Sequence, residues 1–179
     1  WKSPIYCDNR KTLSYPRIRT FMRQEIVKAI DENFGRPDVI AGVATGGIAQ
    51  AALVAQELGL PLIYVRPKAK SHGAQNQIEG VLESGQSVIV IEDLVSTGNS
   101  SLIAVDALRE KGCIVKGMVA IFTYGFETAR KNFLDHKCPL VTLTDYEAVL
   151  QKAIESNYIQ ESDLESLEEW RLNPESWKR

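Results

Sequence analysis

Glu92 and Asp93 stand side by side between an apolar run, Val88-Ile89-Val90-Ile91, and the stretch Leu94-Val95-Ser96-Thr97-Gly98-Asn99-Ser100. The apolar run reads as a strand covered on both faces. The pattern from Leu102 to Leu108 suits a helix, so the small, hydroxyl-rich stretch opens at a helix N-terminus. There the free N–H groups and the positive end of the helix dipole favour an anion such as phosphate. Two carboxylates beside such a loop would repel phosphate, and make sense if they face sugar hydroxyls or a divalent cation. Taken alone, the same residues also fit an acidic pair after a strand and a loop that only caps its helix. The pattern is not a Walker loop, which needs Gly-x-x-x-x-Gly-Lys, nor a dinucleotide fingerprint, whose glycines precede the acid.

Two further loops carry chemistry of their own. Ala44-Thr45-Gly46-Gly47 follows a short apolar run and offers backbone N–H groups without side-chain obstruction. Glycine there allows several N–H groups to turn toward one anion, although an ordinary strand-to-helix turn looks much the same. The stretch 66–80 gathers Arg66, Lys68, Lys70 and His72 without helical or strand period. A loop of that length in a compact domain is commonly a lid or binding loop, and a solvated surface loop is the plain alternative. Lysines and a histidine can neutralise a polyphosphate leaving group and donate a proton as it departs. In an open parallel sheet, ligands bind outside the carboxyl ends of the strands, where all three loops emerge. The three together ask for a substrate with phosphate at one end, vicinal hydroxyls in the middle and a second polyanion. A phosphorylated ribose bearing pyrophosphate meets all three demands.

The elements that must hold these loops alternate between strand-like and helix-like runs, the signature of an α/β fold with a parallel sheet. Ile18, Phe21, Ile26, Val27, Ile30 and Phe34 fall near helical spacing, and Gly35-Arg36-Pro37 ends that helix. Strands are expected at 39–43, 62–65, 88–91, 114–122 and 140–143. Helices are expected at 48–58, from the 96–100 loop to about Lys111 with Gly112 after it, at 126–134, and at 145–156 and 162–171, the last two N-capped by Asp145 and Ser162. No repeat, low-complexity tract or linker interrupts the pattern, so 1–179 reads as one domain.

Composition narrows the function classes. Twenty-one Lys and Arg against 23 Asp and Glu leave a net charge of -2, which argues against a nucleic-acid binder relying on bulk positive charge. Cys7, Cys113 and Cys138 are odd in number and far apart, with neither metal-ligand spacing nor a disulfide framework, so a reducing, cytoplasmic setting is expected. No apolar run approaches the roughly 20 residues needed to span a bilayer, and no membrane association is expected. No signal peptide is visible, and the chain opens at Trp1-Lys2-Ser3-Pro4 without an initiator Met, so a preceding segment is expected.

Val88 to Ser101 resembles the phosphoribosyl-pyrophosphate motif of type I phosphoribosyltransferases. Lys2-Ser3-Pro4-Ile5-Tyr6-Cys7-Asp8-Asn9-Arg10 is similar to the N-terminal substrate segment of the orotate enzymes, and Arg66-x-x-x-Lys70-x-His72-Gly73 to Gly80 is similar to their catalytic loop. The resemblance implies a type I phosphoribosyltransferase fold: a central, mostly parallel sheet flanked by helices, a catalytic loop that closes over the site, and a hood only partly contained in this chain. It implies transfer of ribose 5-phosphate from phosphoribosyl pyrophosphate to orotate, with Mg²⁺ held mainly through the substrate rather than by firm protein ligands. It implies catalysis by Lys70, His72 and Asp93. Phosphoribosyl pyrophosphate would be bound by Thr45, Gly46 and Gly47 along the pyrophosphate, by Arg66, Lys68, Lys70 and His72 closing over it, by Glu92 and Asp93 at the ribose hydroxyls, and by Leu94, Val95, Ser96, Thr97, Gly98, Asn99 and Ser100 around the 5′-phosphate. Orotate would meet Ser96, Tyr6 and Cys7. A homodimer sharing the catalytic loop between subunits is implied as well.

The chain departs from the family at two places. Some members carry a second lysine directly after the loop arginine, where Pro67 stands here with Lys68 one place on. Some carry an arginine after the 117–122 strand for the orotate carboxylate, where this chain has Thr123-Tyr124-Gly125-Phe126. Arg10 or a backbone N–H would have to meet that charge. The neighbouring readings are a phosphoribosyltransferase for another base, with the same phosphate loop and a different pocket, and a non-catalytic regulator sensing phosphoribosyl pyrophosphate, which would lack the cationic loop and carry a basic surface. A plain α/β interaction module leaves the clustering at three strand ends unexplained.

Overall fold

The computed structural model describes residues 3–67 and 77–177. Among them, six strands make one sheet: β1 (Val39–Val43), β2 (Leu62–Val65), β3 (Ile78–Glu79), β4 (Ser87–Val95), β5 (Ile114–Thr123) and β6 (Leu140–Asp145), in the order β3-β2-β1-β4-β5-β6. Only β3 runs antiparallel, against β2; the other pairs are parallel. The helices are α1 (Pro16–Asn33), α2 (Gly46–Leu58), α3 (Asn99–Glu110), α4 (Glu127–Asp135), α5 (Tyr146–Glu155) and α6 (Leu164–Leu172), with 3-10 turns at Asn9–Ser14 and Glu161–Asp163.

Apolar residues that alternate along the strands feed two cores, one on each face. Val88, Val90, Met118 and Ala120 meet Leu102, Val105 and Leu108 of α3 and Phe133 of α4. Ile89, Ile91, Val119 and Ile121 meet Ile26 and Ile30 of α1, Val54 of α2, Leu150 of α5 and Trp170 of α6. Each such branched side chain, fully buried, contributes roughly 1.5–3 kcal/mol of transfer free energy. This explains why β1 and most of β4 read as continuous apolar runs: helices cover both faces.

The strand order fixes where a ligand can sit. From β1 the chain crosses by α2 on one face to β2, then returns to the other side of β1 as β4, and leaves by α3 on the opposite face. Neighbouring strands β1 and β4 thus send their following helices to opposite faces, which opens a crevice between their carboxyl ends.

Several expectations need correction. The strand expected at 88–91 continues to Val95, because β5 is ten residues long and offers ladder partners for Glu92, Leu94 and Val95 at Ala120, Phe122 and Thr123. Glu92 and Asp93 therefore lie within a strand, not after it. The 66–80 stretch contains β3, which pairs with β2 at Tyr64 and Val65. Ser162 does not cap the final helix: Gln160 and Asp163 form a reciprocal capping box around a 3-10 turn, and the α-helix starts at Leu164. Asp145 does cap α5, accepting from Ala148 N at 2.9 Å. The 3-10 turn at Asn9–Ser14 had no periodic signal, and Gly112 takes the expected left-handed conformation after α3, with φ +80°.

Candidate active site

At the crevice, α2 and α3 both begin without a side-chain N-cap. Their first N–H groups have no intrahelical acceptor and face the carboxyl edge of the sheet, where an anion can satisfy them. The glycines at the start of α2 are there for close approach. A Cβ on Gly47 would run into the carbonyl oxygen of Ile91, and one on Gly46 into the carboxylate of Asp93. Thr45, Gly46 and Gly47 are thus brought directly against the end of β4, and the Ala44–Thr45 peptide is cis.

The two acids differ in burial, although their carboxyls stay within hydrogen-bonding reach of each other. Asp93 is half-buried on the α2 side, with its carboxylate over Gly46 at the positive end of that helix. Glu92 turns inward, only 5 % exposed. Its Oε2 accepts from Ser101 Oγ at 2.8 Å and its Oε1 from Asp93 N at 2.9 Å. Burial, followed by its hydrogen bond and charge repulsion with Asp93, pushes the Glu92 carboxyl up to about 8, against a smaller opposing pull from Ser101. Of the acid pair, only Asp93 is set at the crevice.

Beyond the acids, the Leu94 and Val95 side chains join the two cores, and their main chain pairs with β5 at Phe122 and Thr123. Ser96 and Thr97 are half-buried, and Asn99 and Ser100 are exposed at the first turn of α3. Gly98 takes φ +83°, a left-handed conformation that suits glycine, and its missing side chain makes room for the Phe133 ring. Ser96 to Ser100 and Thr45 to Gly47 thus stand at the ends of adjacent strands, on the two sides of Asp93.

The N-terminal segment lies against the same edge. Asn9 Nδ2 donates to the main-chain oxygen of Asp93 at 2.6 Å, and Asn9 Oδ1 accepts from Cys7 Sγ at 3.2 Å. Burial, then the charges of Asp93 and Asp8, pushes the Cys7 thiol up. Tyr6 is largely exposed, and its hydroxyl accepts from Arg10 Nη2 at 3.2 Å, while Arg10 Nε donates to Asp8 at 2.8 Å. Arg66 opens the cationic stretch. Its N–H donates to Gln77 O at 2.9 Å, and its guanidinium lies 3.6 Å from Glu79. Lys68, Lys70 and His72 lie outside the described residues. Asn9 and Ser101 carried no recognisable local signal, since their partners are 84 and nine residues away in sequence.

Two apolar cavities lie beside the crevice rather than in it. One of about 710 Å³ sits behind α4, lined by Phe126, Phe133 and Leu140 among others. One of about 660 Å³ sits beneath the N-terminal segment, against Phe122, Leu150 and Trp177. Neither is lined by Ser96 to Ser100 or by the 44–47 loop. Among the described residues no helix is long and apolar enough to cross a membrane, and no three His, Cys, Asp or Glu side chains converge as a metal cage.

The chain is similar to known proteins in sequence and in fold. Residues 18–156 match the phosphoribosyl transferase domain family. An orotate phosphoribosyltransferase of Bacteroides fragilis is 58 % identical over 178 residues, covering 99 % of this chain and 84 % of the relative. One from Listeria innocua is 53 % identical over 176 residues, covering 98 % and 84 %. The crystal structure of orotate phosphoribosyltransferase from Aeropyrum pernix superposes with a TM-score of 0.77 at 30 % identity, covering 85 % of each chain.

Proposed function

This chain belongs to the orotate phosphoribosyltransferase family, and we infer that it transfers ribose 5-phosphate from phosphoribosyl pyrophosphate to orotate in pyrimidine biosynthesis, releasing pyrophosphate and orotidine 5′-monophosphate. The observation that carries the site assignment is the convergence of two uncapped helix N-termini on the sides of one crevice-facing carboxylate, Asp93.

In this reading the 5′-phosphate takes the N–H groups of Ser96 to Ser100 at the start of α3, and the pyrophosphate takes those of Thr45 to Gly47 at the start of α2. Asp93, between them, accepts from the ribose hydroxyls. Glu92 holds Asp93 and α3 in place through its bonds to Asp93 N and Ser101. Orotate lies near Ser96, Tyr6 and Cys7, and the Arg10 guanidinium beside Tyr6 supports its role in meeting the orotate carboxylate.

As the C1–oxygen bond breaks, its electron pair leaves with pyrophosphate and positive charge grows on the ribose, and an orotate ring nitrogen forms the new bond to C1 from the opposite face. Asp93 is placed to offset that charge. Arg66, Lys68, Lys70 and His72 are assigned to the leaving group on the family resemblance, with Lys70 and His72 neutralising its growing charge. The Asp93 carboxylate beside the two helix starts suits Mg²⁺ carried in on substrate oxygens, a cation commonly held by one or two carboxylates together with substrate phosphates. Bound there, Mg²⁺ would neutralise pyrophosphate charge.

We further propose that the chain is one phosphoribosyltransferase domain over 1–179 and that it works as a homodimer. Tyr15, Ile18 and Phe21 recur every three residues along the start of α1 and are all exposed, which supports a subunit contact there. Three free cysteines support a reducing cytoplasmic setting. The direct test is the fall in orotate absorbance with phosphoribosyl pyrophosphate and Mg²⁺, with uracil, hypoxanthine and adenine in parallel. Turnover of a control base without orotate turnover would overturn the assignment.

A further inference from the structure

Asn132 lies half-buried in α4, outside the crevice, yet its side chain bonds to the loop assigned to the 5′-phosphate. Its Nδ2 donates to the main-chain oxygen of Thr97 at 3.0 Å and to Oδ1 of Asn99 at 3.0 Å. The two acceptors flank Gly98. The next residue along, Phe133, is buried, and its ring edge is 2.7 Å from where a Gly98 Cβ would stand. Helix α4 therefore holds the turn on both sides of Gly98 and underneath it.

The consequence follows from peptide geometry. The C=O and N–H of one trans peptide unit point in opposite directions. Drawing the Thr97 oxygen toward α4 turns the Gly98 N–H away from α4. Converging main-chain N–H groups are what bind a phosphate at a helix start. Glycine in a left-handed conformation has many other conformations open to it, so this orientation needs an external hold. Both Nδ2 hydrogens of Asn132 are used in supplying one.

We propose that Asn132 is a positioning residue that sets the donor geometry of the 96–100 loop and thereby the affinity for phosphoribosyl pyrophosphate. The inference rests on the assignment of that loop to the 5′-phosphate.

The experiment measures KM for both substrates, kcat and melting temperature for Asn132→Ala, Asn132→Asp and Ser100→Glu. Asn132→Asp keeps the shape, removes both donors and sets a carboxylate against two oxygen acceptors. It should raise KM for phosphoribosyl pyrophosphate about tenfold, and Asn132→Ala severalfold. In both, kcat and KM for orotate should stay within about twofold, since neither donor reaches the base or the leaving group. Ser100→Glu tests the underlying assignment. A carboxylate in the first turn suits the helix but repels a phosphate bound there, so the variant should fold and lose affinity for phosphoribosyl pyrophosphate. If Ser100→Glu raises that KM and both Asn132 variants leave it unchanged, the positioning role is wrong. If Ser100→Glu also leaves it unchanged, the phosphate assignment falls and the inference with it. A parallel loss of kcat, both affinities and melting temperature in the Asn132 variants would mean a structural contact only and would overturn the proposal.

Discussion

Replacing Glu92 by glutamine should stabilise the protein increasingly as pH rises. The Glu92 carboxyl is buried and pushed up from 4.5 to about 8, first by desolvation and then by its neighbour Asp93. Below about pH 4.5 the group is neutral in both the folded and the unfolded chain and costs nothing. Between there and about pH 8 the unfolded chain loses the proton and the folded chain keeps it. Unfolding stability then falls by about 1.4 kcal/mol per pH unit from this group alone. The ceiling, over the whole shift, is about 5 kcal/mol. Glutamine carries no such cost and keeps the local bonds: its oxygen still accepts from Asp93 N, and its amide can donate to Ser101 Oγ, since a hydroxyl accepts as readily as it donates. Urea unfolding followed by tryptophan fluorescence, run on wild type and Glu92→Gln at pH 5.5, 6.5 and 7.5, isolates the effect in the difference between them. That difference should grow by about 3 kcal/mol across the range, less whatever share of the proton Asp93 takes. A difference that stays flat with pH would show that Glu92 is already ionised in the folded protein and would refute the reasoning.

Asp93→Asn should raise Kd for phosphoribosyl pyrophosphate by about tenfold or more while the fold survives, and calorimetric titration showing unchanged affinity would remove Asp93 from the ribose site. Lys70→Ala should lower kcat by about 10²–10³ with the melting temperature held, and near-full kcat would exclude Lys70 from the leaving-group role. Gly98→Ala should cost about 1–3 kcal/mol of stability, because alanine strains the left-handed φ and its Cβ meets the Phe133 ring, and denaturant melts will read this directly.

The element types and their order were legible in the residues. Apolar runs at 39–43 and 88–91 are strands whose side chains are buried on two faces, and Gly59 and Gly112 end helices because only glycine takes positive φ at no steric cost. What periodicity missed were features that depend on a partner strand or a distant side chain. The length of β4 is set by the length of β5 beside it, and β3 is a strand only because β2 offers an edge. The turn at Asn9–Ser14 follows no period and is held against the sheet by Asn9 bonding Asp93 O.

The candidate site divides in the same way. Local chemistry is written in neighbouring residues: the glycines at 46, 47 and 98, the hydroxyls of 96–100, and the cations of 66–72 can be read without coordinates. So could the family, through three stretches whose residue types lie next to one another in the chain. Adjacency in the chain misled at one point. Glu92 and Asp93 look like an equivalent pair, but Asp93 stands the more open of the two while Glu92 is buried against Ser101, where desolvation pushes its carboxyl up. Only the packed structure decided that, and only it brought Asn9 to Asp93 and Asn132 to the turn at Gly98. Such contacts join residues dozens of positions apart, and they form when sheet and helices close over one core.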